Sequence, residues 1–300
     1  MRRVVTVLSV LAWLVAVGGP AEASFPGANG QIAFVSFGET PSRIGVIEPD
    51  GSGLAFLTAE DRRRDWEPAW SSDGQMIVFD TLNVNYDNPK IQTMAGDGTG
   101  RTVVYEAPPR VKDVFRPVWS PDASQIAFCA AVGRHYHLQI FTMSADGTAL
   151  TNISGPDHLS DCNPDWSPDG TTIAFNAGGV WTMSPDGTGR AEITSHGRWP
   201  SWSPDGTTIA FARRSDRQTD LYLAEADGSG LTRLTDTAGR FEDTPAFSPD
   251  GTLVAFSRGA NEFVFDSRDL FTVAIDDQAV TRITETRRSE YSPAWQPVGP

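Results

Sequence analysis

The chain has 300 residues, with 38 Asp and Glu against 24 Lys and Arg, for a formal net charge of −14. So acidic a molecule repels phosphate polyanions, which excludes nucleic acid as an expected partner. The length exceeds the usual size of a single core, a limit that repeat architectures evade because each unit packs only on its neighbours.

Residues 1–23 read as a secretory signal peptide. Arg2 and Arg3 precede an apolar run over 4–17, and Ala21-Glu22-Ala23 supplies a small-residue cleavage pattern before Ser24. The run is too short to span a membrane comfortably, and no later run approaches that length. No Cys stands at the cleavage point, which argues against a lipid anchor. The rest, 24–300, is expected to be one exported domain in the periplasm, cell envelope or extracellular space, monomeric and without a membrane span.

After the leader comes a lone "NGQIAF" at 29–34, and then one phrase recurs: "PAWSSDGQMIVF" at Pro68, "PVWSPDASQIAF" at Pro117, "PDWSPDGTTIAF" at Pro164, "PSWSPDGTTIAF" at Pro200, "PAFSPDGTLVAF" at Pro245, and a truncated "PAWQP" at Pro293. Successive prolines are 49, 47, 36, 45 and 48 residues apart. A second phrase alternates with the first in six copies, from "IGVIEPDGSGLAFLT" at Ile44 to "LFTVAIDDQAVTRIT" at Leu270. Each phrase predicts a hairpin, because apolar-rich alternating runs flank a turn in which Pro presets one angle and Gly takes positive φ. Two hairpins per repeat give four strands, A (PxWS), B (xIAF), C (IxTM) and D (xxLT), and four-stranded units at this spacing are the signature of propeller blades.

The chain ends set the expected count. "NGQIAF" supplies a B strand without an A strand, and the final "SPAWQP" supplies an A strand without a B. The sequence therefore predicts an all-β fold, a six-bladed β-propeller of four-stranded blades, its ring closed by the C-terminal strand pairing into the N-terminal blade. "PDWSPDGTTIAF" and "MSPDGTG" resemble the WD-like repeat of the TolB-like β-propeller family, and are also similar to propellers attached to prolyl-oligopeptidase-type enzymes. The resemblance covers essentially all of the chain after the leader but only the propeller part of that family, since the α/β domain that precedes the propeller in TolB has no counterpart here. It implies a protein-interaction module of the bacterial cell envelope.

One propeller face is made of short A–B and C–D turns whose aspartates the turns themselves require. Their spacing does not match a calcium loop. The other face carries the variable B–C and D–A loops, where binding groups usually sit above a rigid scaffold. Long B–C stretches at 81–90 and 257–269 contrast with "NAGG" in the fourth unit, which should notch the rim there. Just before the repeat proline the D–A loops read "RDWE", "DVFR", "SDCN", "HGRW", "FEDT" and "SEYS". Their aromatic and Arg content is that of interface hot spots, and nominates Trp66, Phe115, Arg116, Arg198, Trp199, Phe241 and Tyr291 as a binding mouth. The alternative is that the aromatics plug loops while the arginines pair with neighbouring acids.

Cys129 follows a B strand and Cys162 precedes the next A strand, both at one end of the propeller. This makes them disulfide candidates, two separate thiols being the alternative. All four histidines, His135, His137, His158 and His196, map to the loop face. His-x-His places two imidazoles on one side of an extended segment, and Asp157 or Asp161 offers an oxygen ligand for a divalent metal; unrelated surface histidines are the plainer alternative. Some polysaccharide lyases resemble this layout. No Gly-x-Ser-x-Gly elbow, Cys/His motif or phosphate-cradling loop occurs, so no catalytic residue is nominated. The expected function is a non-catalytic scaffold without a cofactor that binds a protein or peptide of the envelope; the rival is a metal-dependent lyase or hydrolase acting on polysaccharide through the histidines.

Overall fold

Each Ser-x-Asp turn closes on its own side chains. In the second repeat Ser71 Oγ donates to Asp73 Oδ1 at 2.6 Å, the Gln75 amide donates to the same oxygen at 3.0 Å, and Gly74 takes φ +65°. The same contacts recur at Asp122, Asp169, Asp205 and Asp250, so these carboxylates are consumed by the turns that carry them. The flanking apolar alternations then pair as antiparallel strands.

The computed structural model describes residues 26–38, 41–59, 63–83, 88–155, 160–215, 217–260 and 268–299. The leader at 1–23, Asp157 and His158 lie outside the described residues. The first blade is ordered β24 (Ser289–Val298), β1 (Ala28–Phe37), β2 (Arg43–Ile47), β3 (Ala55–Phe56). The second runs β4 (Arg63–Trp70), β5 (Met76–Asn83), β6 (Lys90–Ala95), β7 (Thr102–Glu106). The third runs β8 (Val111–Trp119), β9 (Gln125–Val132), β10 (His137–Ser144), β11 (Thr151–Asn152), and the fourth β12 (Cys162–Trp166), β13 (Ile173–Asn176), β14 (Val180–Met183), β15 (Ala191–Thr194). Among the described residues no helix is long and apolar enough to cross a membrane.

The remaining strands correct the expected six-bladed count. Four four-stranded blades are present, not six, and β16 (Arg198–Trp202), β17 (Thr208–Ser215), β18 (Gln218–Glu225), β19 (Thr232–Arg233), β20 (Phe241–Phe247), β21 (Leu253–Gly259), β22 (Asp269–Ala274) and β23 (Val280–Arg282) make a single eight-stranded sheet. The joint lies at the start of β18, beyond the reach of β19, which like β3 and β11 pairs with only two residues, here Tyr222 and Leu223. Phe241 bridges there in parallel to Thr219, and the Thr219 amide donates to the Arg240 carbonyl at 3.0 Å. The all-β character agrees with the sequence.

Hydrophobic clusters alternate with the sheets around the ring. Ala33, Ile44 and Val46 of the first blade pack on Trp70, Ile77 and Phe79 of the second, and the pattern repeats with Trp119, Trp166, Trp202 and Trp295. The Phe that ends each "xIAF" run, Phe34, Phe79, Phe128, Phe175, Phe211 or Phe256, is fully buried. Burying such a ring stabilises by roughly 2–3 kcal/mol. Arg101 clasps the inner strand of its blade, giving a bidentate pair to Asp65 at 2.6 and 2.9 Å while its guanidinium lies 4.9 Å from the Phe79 ring. Arg190 does the same to Asp161 over Phe175.

Two covalent or ladder constraints tie distant parts of the sequence. β24 pairs antiparallel with β1 from Ala28↔Val298 to Phe37↔Ser289. Cys129 of β9 and Cys162 of β12 form a disulfide with Cα atoms 5.2 Å apart, joining the third and fourth blades. Removing residues 289–299 strips β1 of its partner, and the expected result is insolubility or a melting temperature lower by tens of degrees; a truncated chain that melts like the full one would refute the closure. Protein produced in an oxidising compartment and denatured without reductant should titrate no free thiol, and two reactive thiols would show the bridge is not formed.

Candidate functional site

Each innermost strand is bent just before its repeat proline. In β4 the pairing jumps from Trp66↔Asp80 to Ala69↔Val78, so that three steps on the inner strand meet two on its neighbour, and equivalent shifts occur in β8, β12, β16, β20 and β24. The extra residue in every case immediately precedes the repeat proline. Glu67, Arg116, Asn163, Trp199, Thr244 and Ser292 all have φ between 48° and 57°. A left-handed conformation costs an L-residue about 1–2 kcal/mol. Proline is tolerated next to the bulge because it has no N–H to lose from the ladder.

Bulges re-aim side chains, and here all six bulge residues line the mouth of an axial channel of about 140 Å³. Neighbouring bulges also satisfy one another. The Arg116 amide donates to Glu67 Oε2 at 2.8 Å, and the Ser292 amide to Thr244 Oγ1 at 3.3 Å. The Arg116 guanidinium returns to Glu67 at 2.7 Å. Trp199 has the Arg198 guanidinium 4.6 Å from its ring and that of Arg116 at 6.0 Å, within cation–π range.

One layer deeper, the residue after each proline faces the channel: Ala69, Val118, Asp165, Ser201, Ala246 and Ala294. Burial raises the Asp165 carboxyl to about 7, although the Trp202 amide, donating to its Oδ2 at 2.8 Å, pulls the other way. Beside Arg116, burial raises Asp113 to about 6 and, with the Glu67 and Asp113 carboxylates, holds Asp80 well above the usual carboxylate range. Burial also raises Asp243, against the lowering influence of Arg268, Ser257, Arg116 and Arg198.

The seven nominated mouth residues therefore separate. Arg116 and Trp199 line the channel, and Arg198 stacks on Trp199. Trp66 instead lies in an aromatic stack with Phe37 at 5.5 Å and Tyr291 at 5.6 Å, between the first and second blades. Phe115 and Phe241 are half-buried beside the bulges and outside the channel lining. Glu67, Asn163, Thr244 and Ser292 escape a search by residue type, since their chemistry has nothing in common; the signal was their position before the proline. Asp165 was visible as the one charged residue at the x of "PxW".

His135 and His137 sit at the β9–β10 hairpin with ring centroids 5.7 Å apart, and His196 Nδ1 lies 2.8 Å from Ser195 Oγ. Among the described residues no three His, Cys, Asp or Glu side chains converge into a group able to hold a metal ion.

The sequence over 28–299 matches the family model described as the TolB beta propeller domain. No functionally curated protein matches significantly. Among solved structures, TolB from Acinetobacter baumannii is 19% identical, with a TM-score of 0.76 over 91% of this chain and 67% of its own. A putative TolB from Agrobacterium tumefaciens is 18% identical, with 0.69 over 90% and 100%. An oligogalacturonate lyase in complex with manganese is 14% identical, with 0.56 over 82% and 71%. At these identities each likeness shows the fold alone.

The raised carboxyls set a pH dependence. Asp113, Asp165 and Glu290, the last also raised to about 7, bind protons more tightly folded than unfolded. Their contribution to stability is complete below about pH 4 and is lost as pH rises towards 7. The melting temperature should fall between about pH 5 and pH 8, and Asp165→Asn should flatten part of that slope; a melting temperature that climbs across this range would contradict the assignment.

Proposed function

Because this chain belongs to the TolB beta propeller domain family, we propose that it is an exported, non-catalytic scaffold that docks a protein partner of the cell envelope at the mouth of its axial channel. The observation that supports this reading is the ring of six left-handed bulges. Strain of that kind, repeated at one level of one opening, spends stability to hold six side chains of unrelated chemistry around the channel mouth. Glu67, Arg116, Asn163, Trp199, Thr244 and Ser292 present an ion pair, amide and hydroxyl groups and one indole on a rigid rim, the mixture found where a polypeptide is gripped. Export rests on the leader read from the sequence.

Trp199 is the anchor and Trp66 is the control. Trp199→Ala should weaken capture of an envelope partner roughly thirtyfold, about 2 kcal/mol, and lower the melting temperature by no more than about 4 °C. Trp66→Ala opens the Phe37–Trp66–Tyr291 stack, so it should cost stability and spare binding. A photocrosslinker at position 199 should trap a partner that the same group at Asp97, on the turn face, does not. Equal trapping at both positions would remove the mouth as the docking surface.

A further inference from the structure

The channel layer below the bulges holds one charged group. Of Ala69, Val118, Asp165, Ser201, Ala246 and Ala294, four are hydrocarbon, and Ser201 Oγ accepts the Phe247 amide of the next inner strand at 3.2 Å. Asp165 Oδ2 makes the corresponding bond to the Trp202 amide. A hydroxyl is therefore sufficient for this staple, and the alanines show that the fold also closes without one. The second carboxylate oxygen, Oδ1, has no hydrogen-bond partner among the described residues, and its residue faces the channel. The fold makes no use of that oxygen.

We infer that the channel is a subsite for one lysine side chain of the docked partner, its methylenes against the alanine and valine wall and its ammonium on Asp165 Oδ1. Three features select lysine. The wall suits an unbranched hydrocarbon stem carrying a polar head. Asp165 lies two residues below Asn163, about 7 Å along an extended strand, a depth suited to an extended lysine reaching down from the mouth. Only one carboxylate oxygen is available, which serves a compact ammonium, whereas the guanidinium fork is best matched by two. The raised proton affinity of Asp165 adds a signature, since an arriving cation displaces the proton held near neutral pH.

This inference rests on the docking reading of the mouth, and the test separates the two. n-Butylammonium serves as a lysine mimic, with 1-butanol, butyrate and n-propylguanidinium as comparisons, and the Trp202 backbone amide, bonded to Asp165, is the NMR reporter. The Trp202 resonance should shift saturably with butylammonium and not with butanol or butyrate. Calorimetry in buffers of different ionisation enthalpy should show proton release at about pH 6 that is much reduced at about pH 8. Asp165→Asn, with its melting curve checked, should weaken butylammonium by about tenfold or more, the usual loss for a charge-assisted contact. No saturable shift, an equal response to butanol or propylguanidinium, or unchanged affinity in Asp165→Asn overturns the subsite. The wild-type comparisons decide it even if that variant does not fold. Partner crosslinking at position 199 without butylammonium binding sinks this inference alone; butylammonium binding without a crosslinked partner keeps the subsite and sinks the docking reading.

Discussion

An inner strand of a propeller runs beside the axis with one edge unpaired, and an unpaired edge is a template on which foreign strands add. Here the edge is interrupted by a bulge and a proline at the same level of all six inner strands. The proline withdraws a donor, the bulge bends the strand, and bonds such as Trp202 N–H to Asp165 and Ser292 N–H to Thr244 join neighbouring inner strands without making a continuous ladder. Removing the bulges would let the strands run straight and would turn the six mouth side chains elsewhere. The apolar clusters between sheets must hold this geometry against its own strain.

Charge is arranged to the same end. Arg101 and Arg190, each just before the outer strand of its blade, reach inwards across a Phe ring to Asp65 on the innermost strand and Asp161 just before it, so that the two edges of a blade are held by one side chain. Truncating such an arginine would strand a carboxylate with almost no solvent contact, which is costly, whereas a matched apolar replacement of both partners is often neutral. At and beside the channel, burial keeps Asp80, Asp113 and Asp165 inclined to hold protons. An acidic protein thus presents a less negative opening than its composition suggests.

Much of this was legible in the sequence, for a physical reason. Turn chemistry and apolar alternation are local, so "SPDG" and "xIAF" report strands and turns wherever they occur, and the buried Phe and Trp sets follow from them. The merging of the last eight strands was not legible. It depends on a single parallel bridge between Thr219 and Phe241, a contact between two repeats that the pattern within one repeat does not report. The site was half legible. Residue-type reasoning nominated Arg116, Arg198 and Trp199, which the structure brings to or beside the channel mouth, and Trp66, which it places in a stack with Phe37 and Tyr291, because an aromatic near a repeat proline can face either way. Glu67 and Trp199 share a backbone conformation and no chemistry, and only position in the repeat relates them.

The pairing of β24 with β1 joins the last segment of the repeat array to the first. A ribosome releases the two ends at opposite moments of synthesis, so the first blade is the last to be complete. Until then its hydrophobic face stays open to chaperones, to proteases and to other copies. Search for so remote a partner is slow, because loop closure must precede any reward from the contact. The ring thereby acts as an inspection of length: a chain cut short by nonsense or proteolysis holds most of its sheets and still advertises its defect on the one blade that it cannot finish.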